Sequence, residues 1–269
     1  DENAAPSGGY AAVNLLVENN ESDAEDYGSI IDAFNQDRKS IDRHVTQEAH
    51  EIIESDPELK NCKSTVIYNP RWMKGIVGIV ASRLIETYFR PTVVLTQSNG
   101  FATGSARSVP GFDLYQAVES CADLLENFGG HMYAAGLTMR PENVGEFTRR
   151  FNAYVEENID PQMLVPQVDV DAELLFSEIT PAFRRELKRF EPFGPGNAAP
   201  IFATRSVSNR GDAKLVGAEC EHLRMDLTQR QKPNTTLQCI AFQQPEHFEW
   251  IRSGRPVAVS YTHLTLPTT

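Results

Sequence analysis

Three short segments carry side chains able to hold an anion. In Thr103-Gly-Ser-Ala-Arg-Ser-Val109, two hydroxyls flank an arginine at the end of an expected strand. Ser105 and Ser108 can hydrogen-bond phosphate oxygens, while the planar fork of Arg107 offers a bidentate, charge-assisted contact. In Gly129-Gly-His-Met-Tyr-Ala-Ala-Gly136, Gly129 and Gly130 let the backbone turn sharply and approach a ligand, and His131 can donate to a phosphate oxygen. In Trp72-Met-Lys-Gly-Ile-Val-Gly-Ile-Val-Ala-Ser-Arg-Leu84 a helix opens whose free N–H groups can bind an anion, with Lys74 at its mouth. Each segment also has a purely structural reading: a surface hairpin, a Gly-Gly helix C-cap beside a structural histidine, and a helix facing the core with Val77, Val80, Ala81 and Leu84.

The elements around these segments alternate between strand and helix. Apolar positions predict strands at Ser64–Tyr68, Thr92–Leu95, Phe101–Ser108 and Ala134–Met139, and helices at Gly75–Tyr88, Asp113–Phe128 and Pro141–Asn158. This is the texture of an α/β domain of about a hundred residues. Before it, a capping box at Ser22-x-x-Glu25 opens a helix running to Glu54, with Tyr27, Ile31, Phe34, Ile41, Val45 and Ile52 at three- and four-residue steps. Such a helix is about 50 Å long, longer than a small domain is wide, and joins two bodies. Polar Arg38 and Glu48 interrupt its apolar seam, against a coiled coil. After Asp160-Pro161 come a short helix at Pro181–Arg189 and strand-like runs at Ile201–Val207, His222–Leu227 and Thr236–Phe242, the pattern of a small β barrel or sandwich.

The chain has 269 residues and a net charge of −12, which at first argues against a nucleic-acid partner. The charge is not evenly spread. Asp1–Glu58 holds 15 acidic and 3 basic residues, so the remainder is neutral. Within Lys60–Phe112 stand Lys60, Lys63, Arg71, Lys74, Arg83, Arg90 and Arg107 against the single acidic Glu86, a candidate phosphate surface or a set of scattered solvated charges. Cys62, Cys121, Cys220 and Cys239 form no CxxC pair, which argues against a zinc site or a disulfide scaffold. With no run of eighteen apolar residues and no leader pattern, the expected location is cytoplasmic, away from membranes.

The three motifs, in this order, resemble the DHH-associated domain of RecJ-type single-strand-specific exonucleases. The resemblance continues through Pro192-Phe-Gly-Pro-Gly-Asn197 into a strand-rich part similar to an oligonucleotide-binding (OB) fold, and backward into a long acidic connector. It implies four stretches: 1–59, the end of the DHH catalytic domain and the connector; 60–159, the α/β DHH-associated domain; 160–258, an incomplete OB-like domain; and 259–269, which resembles a translated sequencing-library adapter. It also implies a parent enzyme that degrades single-stranded DNA from the 5′ end in repair and recombination. By resemblance, Ser105, Arg107 and Ser108 hold the 5′-terminal phosphate, and Gly129, Gly130 and His131 contact the backbone near the scissile bond. Met73 departs from the family, which commonly has His there. The family's metal ligands have no counterpart in this sequence, so the parent's Mn2+ or Mg2+ is expected upstream of Asp1, with no cofactor in this chain and no hydrolysis by it alone. A non-catalytic strand-binding or scaffold homologue, and a DHH-family oligonucleotide or cyclic-dinucleotide phosphodiesterase, share parts of this pattern.

Overall fold

The computed structural model describes residues 8–230 and 235–262. Contacts divide the chain into two compact units, 1–166 and 167–269.

The first unit begins with α1 (Gly8–Val17), which the sequence pattern did not foretell, and α2 (Glu21–Ser55). α2 starts one residue before the expected capping box: Asn20 is the N-cap, its side chain accepting from Ser22 N–H. Its 35 residues correspond to about 52 Å of helix. Its buried residues, Asp42, Val45, Ala49 and Ile53, lie in its later half, while α1 packs against the helix as well. Then follow α3 (Pro57–Asn61), β1 (Thr65–Tyr68), α4 (Val77–Tyr88), β2 (Thr92–Ser98), β3 (Phe101–Arg107), α5 (Leu114–Glu119), β4 (Leu125–His131), β5 (Ala134–Met139) and α6 (Val144–Asn158). The strands form one sheet in the order β1-β2-β3-β5-β4, parallel at β1–β2 and antiparallel elsewhere.

One expectation here fails. Asp113–Phe128 is not a single helix: α5 ends at Glu119, a 3-10 turn takes Ala122–Leu124, and Leu125–His131 is the edge strand β4. Leu114, Ala117, Val118 and Cys121 keep helical spacing and are buried, but the chain beyond them finds a partner in β5, and pairing overrides local periodicity. Gly129-Gly130 therefore lies inside a strand and caps no helix.

The two faces of the sheet are covered differently. On one, Val93, Leu95, Ala102, Ala106, Leu137 and Met139 pack with residues of α5 and α6, including the stacked pair Phe147–Phe151. On the other, Ile67 and Val94 pack with α4 and the later half of α2. α4 lies against β2 and β3, while Asn127, Gly129 and His131 of β4 and Gly136 of β5 are exposed. The β5-β4 end of this face is open, with β3 at its border.

The second unit holds β6 (Ala172–Glu173), α7 (Pro181–Lys188), β7 (Phe202–Asn209), β8 (Lys214–Val216), β9 (His222–Gln229), β10 (Thr235–Ala241), α8 (Phe248–Arg252) and β11 (Val257–Tyr261). Its sheet runs β10-β9-β7-β11, with β6 on β7 and β8 on β9; among the described residues it does not close into a barrel. The sequence reading ended this domain at Ala258. In the structure Val259, Ser260 and Tyr261 continue β11 against β7, and the Tyr261 hydroxyl lies 2.8 Å from that of Thr204. Val257, Val259 and Tyr261 pack on the core at alternating positions, which is why this stretch behaves as a strand. Residues 263–269 of the expected tail lie outside the described residues.

Candidate nucleic-acid interface

Strand alternation places Ser105 and Arg107 on the same face of β3. Ser105 pairs with Gly136 and Gly136 with Gly129; Arg107 pairs with Ala134 and Ala134 with His131. Cross-strand partners share a face, so Ser105, Arg107, Gly129 and His131 lie on one face of the sheet, Gly129 and His131 on its open end and Ser105 and Arg107 at its border. Between the polar residues the floor is only Gly136, Ala134 and Gly129. A Cβ on Gly129 would meet nothing within 4 Å, and one on Gly136 only the Gly104 carbonyl oxygen at 3.9 Å.

α4 borders this floor. A Cβ on Gly78, in its first turn, would come 3.2 Å from Arg107 Nη2 and 3.2 Å from Ser105 Oγ, so glycine lets the helix approach the two residues closely. The N-cap position, Ile76, provides no side-chain cap, which leaves the helix start to other partners. Lys74 is exposed on the loop just before it. Arg107 donates through Nη1 to the Ala106 carbonyl at 2.9 Å.

The hairpin bearing His131 is pinned from outside. Ser108 N–H donates to the Tyr133 carbonyl at 3.0 Å and Leu114 N–H to the Met132 carbonyl at 3.1 Å. Gly130 has φ +153°, and a Cβ there would overlap the Ala134 carbonyl oxygen. The His131 Nδ1 accepts from Tyr133 N–H at 3.3 Å. In the neutral ring this assigns the proton to Nε2, leaving a donor free for a ligand oxygen. Ser108 is placed differently from its neighbours: beyond the end of β3, its hydroxyl donates to the Phe112 carbonyl at 2.9 Å. It holds the turn.

Three of the seven cations of the basic stretch are neutralised. Lys60 pairs with Glu54, Lys63 with Glu156 and Arg83 with Asp42. Arg90 is buried, bonded to Thr65 Oγ1 and to the Lys60 and Cys62 carbonyls, and burial lowers its pKa. Among the described residues Arg71, Lys74 and Arg107 have no carboxylate partner; Arg107 lies on the open floor, and Arg71 and Lys74 precede the helix that borders it.

The second unit presents a face that sequence reading did not single out. Lys214 pairs with Arg224 and Arg224 with Ile240, so a cation pair and an exposed aliphatic form one cross-strand row. Beside it, His222 meets exposed Phe242 edge-on at 5.2 Å. The signal was two apolar residues, Ile240 and Phe242, at outward positions of an otherwise polar face. Among the described residues no three His, Cys, Asp or Glu side chains group as metal ligands, and no helix is long and apolar enough to cross a membrane.

Residues 61–157 match the family model of the DHHA1 domain and residues 170–264 that of the RecJ OB domain. The single-stranded-DNA-specific exonuclease RecJ of Bacillus subtilis is 31% identical over 92% of this chain and 31% of its own length. That of Haemophilus influenzae is 31% identical over 86% of this chain and 41% of its own. The crystal structure of Thermus thermophilus RecJ in complex with Mg2+ superposes with a TM-score of 0.70 and 28% identity, covering 87% of this chain and 35% of that one. The chain thus spans about a third of the length of these relatives. With both matched domains in the order its motifs implied, this is a RecJ-like chain: a DHHA1 domain followed by a RecJ OB domain.

Proposed function

We propose that this chain is the strand-holding part of a 5′→3′ single-stranded-DNA exonuclease acting in repair and recombination. The observation that carries the reading is the open floor, with Ser105 and Arg107 at one side and His131 at the other. Arg107 and Ser105 hold the 5′-terminal phosphate, and the Nε2–H of His131 meets a backbone oxygen further along. Gly129 and Gly130 let the strand lie close to the main chain. Lys74 adds a point charge at the start of α4, and Ser108 fixes the turn that follows Arg107. In the OB domain, Lys214 and Arg224 neutralise phosphates while Ile240 and Phe242 offer apolar surface to bases.

RecJ of T. thermophilus has been solved with Mg2+ and with Mn2+. The described residues of this chain do not fit such an ion, so no hydrolytic step is assigned to them; binding and orienting the strand are their work. The metal belongs to the parent enzyme, outside these residues, and the parent works in the cytoplasm.

Fluorescence anisotropy with labelled single-stranded DNA at two salt concentrations tests the reading. The chain should bind, with affinity falling as salt rises, and Lys74→Ala should weaken all strands alike and reduce the salt slope by about 1. Absence of salt-dependent binding would overturn it.

A further inference from the structure

Glu48 interrupts the apolar seam of α2, and the structure shows what it does there. Its Oε2 accepts from the indole N–H of Trp72 at 2.7 Å, while Oε1 lies 3.4 Å from His44 Nε2, one turn earlier. Arg38, the other interruption, bonds locally, to Asn35 at 2.9 Å. Trp72 is 5% exposed, and its carbonyl accepts from the buried hydroxyl of Thr96 on β2. It is therefore gripped twice, by α2 through its side chain and by the sheet through its main chain.

Exposed cations without a carboxylate partner among the described residues, Arg71 and Lys74, stand on either side of this buried tryptophan. Four residues after Lys74 comes Gly78, against Ser105 and Arg107. The loop joining β1 to α4 thus has a fixed centre and two charged shoulders. A loop held by one buried side chain keeps its flanking charges in place without a ligand, which lowers the ordering cost of binding an anion.

We propose that Glu48 is a positioning residue for strand binding: it fixes Trp72, and through Trp72 the placement of Arg71 and Lys74. This rests on the strand-holding reading above and adds that the connector helix α2 helps to set the geometry of the anion-facing loop.

The test compares Glu48→Ala with Glu48→Gln in the full chain. Both remove the same negative charge, so a difference between them isolates the hydrogen-bond acceptor, which glutamine retains. Glu48→Ala should weaken single-stranded DNA binding about tenfold, equivalent to about 1.4 kcal/mol, and lower the salt slope; Glu48→Gln should recover most of the loss. In an Arg71→Ala/Lys74→Ala background, Glu48→Ala should add little, because the residues it positions are gone. Hydrogen exchange of Asn69–Ile76, measured without DNA, should rise in Glu48→Ala and stay near the unsubstituted rate in Glu48→Gln. Equal affinity of the alanine and glutamine variants, full additivity in the double-alanine background, or unchanged exchange in the loop would each overturn the proposal. An unsubstituted chain that fails to bind DNA would instead overturn the strand-holding reading, and the exchange measurement would still decide the role of Glu48. A change in thermal midpoint without these effects would mark Glu48 as structural only.

Discussion

Arg107 and His131 stand at the two ends of one cross-strand row, with Ala134 between them. At the usual spacing of strands their backbones lie about 10 Å apart. The gap between them is floored by Ala134, with Gly136 and Gly129 beside it.

Glycines of this floor and its margin divide by what surrounds them, which gives a contrast that separates folding from binding. Gly129→Ala and Gly136→Ala place a methyl group in open space, so thermal stability should hold or rise, by up to about 0.5–1 kcal/mol. Affinity for single-stranded DNA should fall, because the methyl stands where the strand lies. Gly130→Ala should instead lower the thermal midpoint, since its methyl overlaps the backbone at Ala134 and Ala135. Undiminished binding by both Gly129→Ala and Gly136→Ala would show that no ligand approaches there.

The far end of α2 supplies a test by pH. Tyr88 donates to Glu54 at 3.0 Å and lies 3.1 Å from His50 Nδ1. Burial, then the bond to Glu54, pushes its pKa up to about 12. A phenol whose folded pKa is raised contributes stability below its unfolded pKa, about 10, and loses it as pH climbs through the folded value. The stability advantage of the chain over Tyr88→Phe should therefore shrink between about pH 10 and the folded value of about 12. Thermal melts of the pair across that window check it; a constant difference would contradict the coupling.

β11 makes a claim about the end of the chain. Truncation after Ala258 removes Val259–Tyr261, their pairing with β7 and the Tyr261–Thr204 bond. The thermal midpoint should drop by roughly 4–8 °C for each kcal/mol lost in a domain of this size. Truncation after Thr262 keeps the strand and serves as the comparison. Equal midpoints for the two truncations would mean that β11 contributes nothing.

Much of this was legible in the sequence. β1, α4, β2, β3, β5 and α6 follow from apolar periodicity, and the order of three motifs pointed to the family. What escaped depended on partners distant along the chain. The basic stretch looked free because Arg83 meets Asp42 from 41 residues away, and Lys63 meets Glu156 on α6, far along the chain. Leu114, Ala117, Val118 and Cys121 invited a longer helix because β5, the partner that draws Leu125–His131 into a strand, appears only in the fold. Ser105, Arg107 and Ser108 are neighbours in sequence, yet alternation puts the first two on the floor while Ser108, past the strand's end, turns to Phe112.

The most direct measurement is a titration of the chain by fluorescence anisotropy with two single-stranded oligonucleotides that differ only in a 5′-phosphate or a 5′-hydroxyl. A terminal phosphate offers more charge and more acceptor oxygens than an internal one. The chain should prefer the phosphorylated end, and Arg107→Ala should erase that preference at a cost of about 1.5–3 kcal/mol, roughly ten- to a hundredfold in affinity. Arg107→Lys should restore it only in part, since a point charge does not replace a planar fork. Equal affinity of the unsubstituted chain for both ends would contradict the account and leave Arg107 as ordinary strand surface.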